Sequence, residues 1–176
     1  MNELELVLPT LAHKQQVEDY KQKFLADMET MGPNMAGVGR LKVLDFEEWL
    51  QECHDHMEGK NLPEGFVPAT TFLGIRKADG NLVGSIQIRH RLTPHLLEIG
   101  GHIGYGVVPD ERGKGYATQM LKIAIDECKK FGIDKVRVTC LEHNIASETV
   151  IRNCGGEYDG TANDGDKVLK RFWVVN

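Results

Sequence analysis

The stretch GYGVVPDERGKGYATQML, residues 104–121, limits the possible folds more than any other part of this chain. A run with strand character ends at Pro109, which offers no ladder donor. Two glycines then flank Lys114. Beyond them Ala117, Met120, Leu121, Ala124, Cys128 and Phe131 recur at steps of three and four, the spacing of one helix face. Gly132 stops that helix, and DKVRVTCL, residues 134–141, reads as a second strand. Strand, helix and strand in succession make a crossover unit, so at least part of the sheet is parallel.

The flanking segments read differently. Residues 3–8, ELELVL, alternate like a half-buried strand and end at Pro9. Thr10 is placed to cap a helix whose inner face carries Val17, Tyr20, Phe24, Met28 and Met31. The glycine-rich run at residues 31–40 reads as a loop. Asp45 and Glu48 form a D-x-x-E start for a second helix, with Phe46, Trp49, Leu50, Cys53 and Met57 inward. Residues 70–76 and 82–89 flank Asp79-Gly80-Asn81 as a hairpin, and residues 98–108 read as one continuous strand. NIASETVIRNC, residues 144–154, is a short helix stopped by Gly155-Gly156, and a last hairpin turns at Asn163-Asp164-Gly165. Antiparallel hairpins thus bracket one crossover. The expectation is an α/β chain, α+β in character, with a mixed sheet and helices on both faces, in one domain over residues 1–176.

Composition excludes some functions. A formal net charge of -5 argues against a nucleic-acid binder, which needs a basic face. The four cysteines lie far apart with no C-x-x-C pair, which fits reduced thiols. No signal segment opens the chain, and no apolar run approaches the ~18 residues of a membrane span, so a cytoplasmic protein is expected. Cys53-His54-Asp55-His56 does not make a metal site. Helix neighbours one and two apart diverge, leaving Cys53 for the core and the other three for solvent.

At residues 112–118, RGKGYAT, a helix begins just past a strand. A helix start has unpaired N–H groups and a partial positive charge. Gly113 and Gly115 remove side chains there, and Arg112 and Lys114 add charge, so a phosphate or pyrophosphate is the natural guest. Three nucleotide patterns compete. The P-loop fails because Gly115 follows Lys114 and Val108 stands where its first glycine belongs. The dinucleotide fingerprint fails at Thr118, and the early antiparallel hairpin disagrees with a doubly wound parallel sheet. Arg112, Gly115 and Ala117 satisfy the third, [RQ]-x-x-G-x-[GA].

On those residues the segment VVPDERGKGYATQML resembles the acyl-CoA-binding motif of the GNAT superfamily of N-acetyltransferases. The resemblance runs from about residue 68 to 158. Within the superfamily it is most similar to a group whose acceptors are unassigned. It implies a GNAT-like acyl-CoA N-acyltransferase fold, a mostly antiparallel sheet whose fourth and fifth strands splay apart around acetyl-CoA. It implies that Gly106, Val107 and Val108 present backbone groups to the pantetheine arm. It also implies that Arg112, Gly113, Lys114, Gly115, Tyr116, Ala117 and Thr118 cradle the pyrophosphate. Asn144, Ala146 and Ser147 match the family's N-x-A-S. The resemblance gives Asn144 and Ser147 contacts to the cofactor, although helix capping alone also explains Asn144. The family often has a tyrosine four residues after that serine, protonating the departing thiolate. Ile151 stands here and cannot donate a proton.

Acetyl transfer to an amine requires that the amine lose a proton. His102 shares a strand face with Gly104 and Gly106, a sparsely packed face suited to a ligand, and histidine titrates near neutral pH. A histidine satisfied within the sheet explains the same residue. Glu98 is the second candidate, at the start of that strand, where the family often places a glutamate base and where an exposed edge charge is equally ordinary. Tyr105 falls on the apolar face. The expected reaction is transfer of acetyl from acetyl-CoA to a primary amine by direct attack in a ternary complex. The alternative is a non-catalytic acyl-CoA sensor, which Ile151 favours, and more distantly a dinucleotide oxidoreductase. The acceptor, a small molecule or a peptide, would be set by the first two helices, residues 31–40, 59–69 and 90–100. Family members are often homodimers.

Overall fold

Seven strands form one sheet in the order β1-β2-β3-β4-β5-β7-β6. The structure, a computed structural model, describes residues 2–31 and 35–176. The strands are β1 (Leu4–Val7), β2 (Ala69–Arg76), β3 (Leu82–Arg89), β4 (Ile103–Val107), β5 (Lys135–Leu141), β6 (Glu157–Asp164) and β7 (Lys167–Val175). The helices are α1 (Lys14–Met31), α2 (Phe46–Met57), α3 (Pro94–Glu98), α4 (Tyr116–Cys128) and α5 (Ile145–Asn153). Every neighbouring pair is antiparallel except β4 with β5, which α4 connects. The expected mixed sheet with helices on both faces is borne out. Part of the expected loop, residues 32–34, lies outside the described residues.

Two hydrophobic clusters occupy the two faces. Ile86, Ile103, Met120, Leu121, Val138, Ile151 and Phe172 meet under α4 and α5. Val17, Tyr20, Phe24, Trp49, Leu73 and Val108 meet under α1 and α2. Trp49 is wholly buried and donates its indole N–H to the Val38 carbonyl at 2.7 Å. Asp45 starts α2 as its spacing predicts, accepting from the Glu48 amide at 2.9 Å. Among the described residues no helix is long and apolar enough to cross a membrane.

One element differs from its sequence reading. Residues 98–108 are not a continuous strand: Glu98 closes α3, and β4 begins at Ile103. Thr93 accepts from the Leu96 amide and Pro94 takes the first helical position, a start signal that periodicity overlooks. Gly100 and Gly101, at φ of 99° and 63°, then swing the chain back into the sheet. A Cβ on Gly101 would lie 2.4 Å from the Arg137 carbonyl, so only glycine passes there.

Candidate functional site

The site begins where the sheet comes apart. β4 and β5 share one parallel register position, Ile103 with Val138, and from there to their C-terminal ends no ladder joins them. His102 and Val108 direct backbone groups to β3, through Arg89 N–H to the His102 carbonyl and Val108 N–H to the Val83 carbonyl. Strand alternation therefore turns the backbone groups of Tyr105 and Val107 towards β5. Of the three residues expected to present backbone groups to a cofactor arm, Val107 turns its backbone into the gap. The Gly106 carbonyl accepts from the Tyr20 hydroxyl at 3.4 Å, and the Val108 amide is committed to β3.

The N-terminus of α4 lies beyond the end of β4. Gly113 and Gly115 take φ of 75° and 82°, where a side chain is strained, and a Cβ on either would meet nothing within 4 Å. The turn requires these glycines, and the space above them is open. Among the described residues no hydrogen bond engages the amides of residues 113–118. The next amide, that of Gln119, donates to the Gly115 carbonyl. A run of free amides at a helix start fits an anion such as a diphosphate. Lys114 reaches Glu111 at 2.8 Å, and Arg76 holds the same carboxylate at 2.9 Å. Those hydrogen bonds, Lys114's first, keep the Glu111 carboxyl below the usual range. Arg112 points elsewhere. Its Nε donates to the Val107 carbonyl at 3.1 Å and its Nη2 pairs with Asp27 at 3.0 Å, joining the end of β4 to α1.

Across the gap, Asn144 caps α5 by accepting from the Ser147 amide at 3.1 Å. Its Nδ2 has no partner among the described residues. The Ser147 Oγ lies 2.7 Å from the Tyr105 hydroxyl, so β4 and α5 are bridged by two hydroxyls that sequence spacing gave no reason to pair. Burial pushes the Tyr105 pKa up. Ile151, where the family's tyrosine would stand, is wholly buried in the core. The Cys140 thiol, at the end of β5, is pushed up to about 11 by burial and stays protonated at neutral pH.

The two candidate bases are not brought together. His102 is buried, and its Nδ1 accepts from the Arg137 amide at 2.9 Å. Burial, then the charges of Arg89 and Arg137, push its pKa down to about 4. Glu98 is exposed, on α3 rather than at a strand start, and ion-pairs with Arg171. Arg137 lies over the Trp173 ring at 3.9 Å and pairs with Asp159 at 2.9 Å.

The glycine face of β4 is also not bare. The chain's own segment covers it: a Cβ on Gly106 would meet the Ala36 carbonyl at 3.1 Å and Phe24 at 3.3 Å, and Gly37 packs on Tyr105 and the Gly104 carbonyl. Small residues on both sides let two backbones approach, which sequence alone cannot distinguish from room for a ligand. His56, expected in solvent, is buried beside a second buried polar residue of α2, Glu52. Neither signals itself in the sequence, because a helix wheel does not show that Arg40 and Gly39 reach Glu52 or that Phe66 reaches His56. Among the described residues no group of three or more His, Cys, Asp or Glu is placed to hold a metal.

Residues 4–157 match the family described as Acetyltransferase (GNAT) domain. No curated protein matches the chain. Several solved structures share its fold. The ribosomal-protein-S5-alanine acetyltransferase of Vibrio fischeri superposes with a TM-score of 0.72 at 16% identity, covering 100% of this chain and 94% of that one. The microcin C7 self-immunity acetyltransferase, solved with acetyl-CoA and AMP, gives 0.71 at 15% identity, with 100% and 94% covered. A spermidine N-acetyltransferase chimera from Vibrio cholerae and hSSAT gives 0.64 at 15% identity, with 98% and 95% covered.

Proposed function

This chain belongs to the GNAT acetyltransferase family, and from that premise we propose that it transfers an acetyl group from acetyl-CoA to a primary amine by direct attack in a ternary complex. The observation that carries this reading is the run of unpartnered amides at residues 113–118, next to the parting of β4 and β5. Bound acetyl-CoA supplies the thioester that the amine attacks, and CoA is the leaving product. Residues 113–118 hold the diphosphate through backbone N–H groups, with Lys114 adding a screened charge. The backbone of Tyr105 and Val107, with the free Nδ2 of Asn144, aligns the arm between the strands. An N–H turned into that gap also stabilises charge on the carbonyl oxygen.

Ser147 takes over from the tyrosine that is absent at Ile151. Its hydroxyl heads a two-member chain with Tyr105, whose burial keeps its own proton in place, so a proton is held where the thiolate departs. His102 serves the fold, since its Nδ1 is committed and its basicity is low. Glu98 is tethered to Arg171.

The test is mass spectrometry after incubation with acetyl-CoA and a panel of acceptors suggested by the fold neighbours: peptides with N-terminal alanine or serine, and spermidine. The expected result is one acetylated product with stoichiometric free CoA. CoA binding with every amine left unmodified would instead mark a non-catalytic sensor, and absence of CoA binding would end the reading.

A further inference from the structure

If acetyl-CoA binds as proposed, the premise on which this inference rests, a diphosphate comes to residues 113–118, and Glu111 stands two positions before that run. A carboxylate beside an anion site is unfavourable, because like charges repel. Lys114 is the side chain placed to meet the diphosphate, yet its Nζ is bound to Glu111 Oε2 at 2.8 Å. Turning to the diphosphate would take Lys114 from Glu111 and leave the carboxylate with one cation fewer, just where a second anion arrives.

Arg76, the last residue of β2, meets that difficulty. Its Nη1 donates to the same Glu111 oxygen at 2.9 Å and to the hydroxyl of Tyr116, the first residue of α4, at 3.3 Å. Its Nε and Nη2 donate to the Asp79 carboxylate, Nη2 at 2.7 Å. Asp79 is fixed in turn by the Asn81 amide at 3.1 Å and Asn81 Nδ2 at 2.7 Å. Arg76 is thus held from two sides and is 19% exposed, close to Glu111 at 17%, whereas Lys114 is 51% exposed. Of the two cations on Glu111, Arg76 is the fixed one and Lys114 the one that exchanges at small cost. Together Arg76 and Lys114 balance Asp79 and Glu111. Without Arg76 one lysine would face two carboxylates, and the charge beside the cradle would be negative. We infer that Arg76 is a positioning residue for the cofactor: by keeping a cation on Glu111 it frees Lys114 to move to the diphosphate and keeps the start of α4 attractive to an anion. Arg76 stands 35 positions from Glu111 and 40 from Tyr116, so the β2–β3 hairpin tunes a site to which it contributes no contact of its own.

A double-mutant cycle separates this electrostatic role from a bracing one. CoA is titrated by calorimetry at low and at high salt into the wild type, R76Q, R76K, E111Q and R76Q/E111Q, with nitrogen-15 spectra to show that each is folded. R76Q should weaken binding by roughly tenfold at low salt, and by less at high salt, where the field is screened. R76K keeps the charge and should retain most of the affinity. E111Q should bind CoA about as well as the wild type. In R76Q/E111Q the carboxylate that needed Arg76 is gone, so affinity should return to within about threefold of E111Q. R76Q with wild-type affinity, or a loss that persists in R76Q/E111Q or equally in R76K, overturns the inference and leaves Arg76 a brace of the hairpin. Should R76Q fail to fold, E111Q and R76K still decide: E111Q that tightens CoA tenfold or more would show that Glu111 is not neutralised in the wild type, and overturn it too. Wild-type protein that binds no CoA defeats the acetyl-CoA reading itself, and this inference with it.

Discussion

The two faces of the sheet were built by different rules. On the α4 and α5 face the functional groups come from short, contiguous stretches: the amides of residues 113–118 sit at one helix start, and Asn144 and Ser147 open another. On the α1 and α2 face the buried polar groups come from distant segments. Glu52 of α2, Gln87 of β3 and Gly39 of the loop before α2 meet only after the chain has folded. The difference teaches that main-chain amides left open at a helix start carry a local signature, whereas polar side chains that converge from distant segments carry none.

The strongest challenge to this contrast is W49A. Removing a fully buried indole should cost about 3–5 kcal/mol, read from urea unfolding. If the faces are separate devices, the folded fraction should keep its CoA affinity within about twofold, well under 1.4 kcal/mol. A parallel loss of CoA binding would mean that the acceptor layer also shapes the donor site.

G115V should have the next largest effect. It forces a β-branched residue into left-handed backbone and fills the open cradle. The CoA dissociation constant should rise by roughly a hundredfold, about 2.7 kcal/mol, in calorimetry. An unchanged constant would remove the amides of residues 113–118 from the site.

His102 sharpens the contrast through pH. Its folded pKa, about 4, lies below the usual 6.5 of the unfolded chain. As pH falls through that window the unfolded chain takes up a proton that the folded one refuses, so stability is lost on the acid side. H102N keeps an acceptor for the Arg137 amide, Oδ1 in place of Nδ1, and should flatten that part of the melting-temperature profile while leaving turnover at neutral pH largely intact. A large loss of turnover would return His102 to the chemistry as a base.

The smallest effect belongs to K114A. Its ion pair with Glu111 is exposed, so stability should change by no more than about 0.5 kcal/mol. CoA affinity should weaken a few-fold at low salt and less at high salt, where an exposed charge is screened.

Much of the fold was legible for the same reason that half of the site was. Asp45 and Glu48, the turn at Gly80, and the glycines around Lys114 act over a few residues, and each produced the element it announced. Local signals misled where they were ambiguous: residues 98–108 have the composition of one strand, yet Thr93-Pro94 starts α3 and Gly100-Gly101 turns the chain.

By itself the sequence determined the order of elements, the crossover through α4 and the glycine-flanked helix start, because capping, periodicity and backbone freedom at glycine act between near neighbours. Only the tertiary structure decided that Tyr105 meets Ser147, that Gly104 and Gly106 receive the chain's own backbone, and that Glu52 is buried against Arg40 and His56. Tyr105 and Ser147 alone stand 42 positions apart, and chain closure over such distances is set by how the layers pack rather than by any residue's own preference.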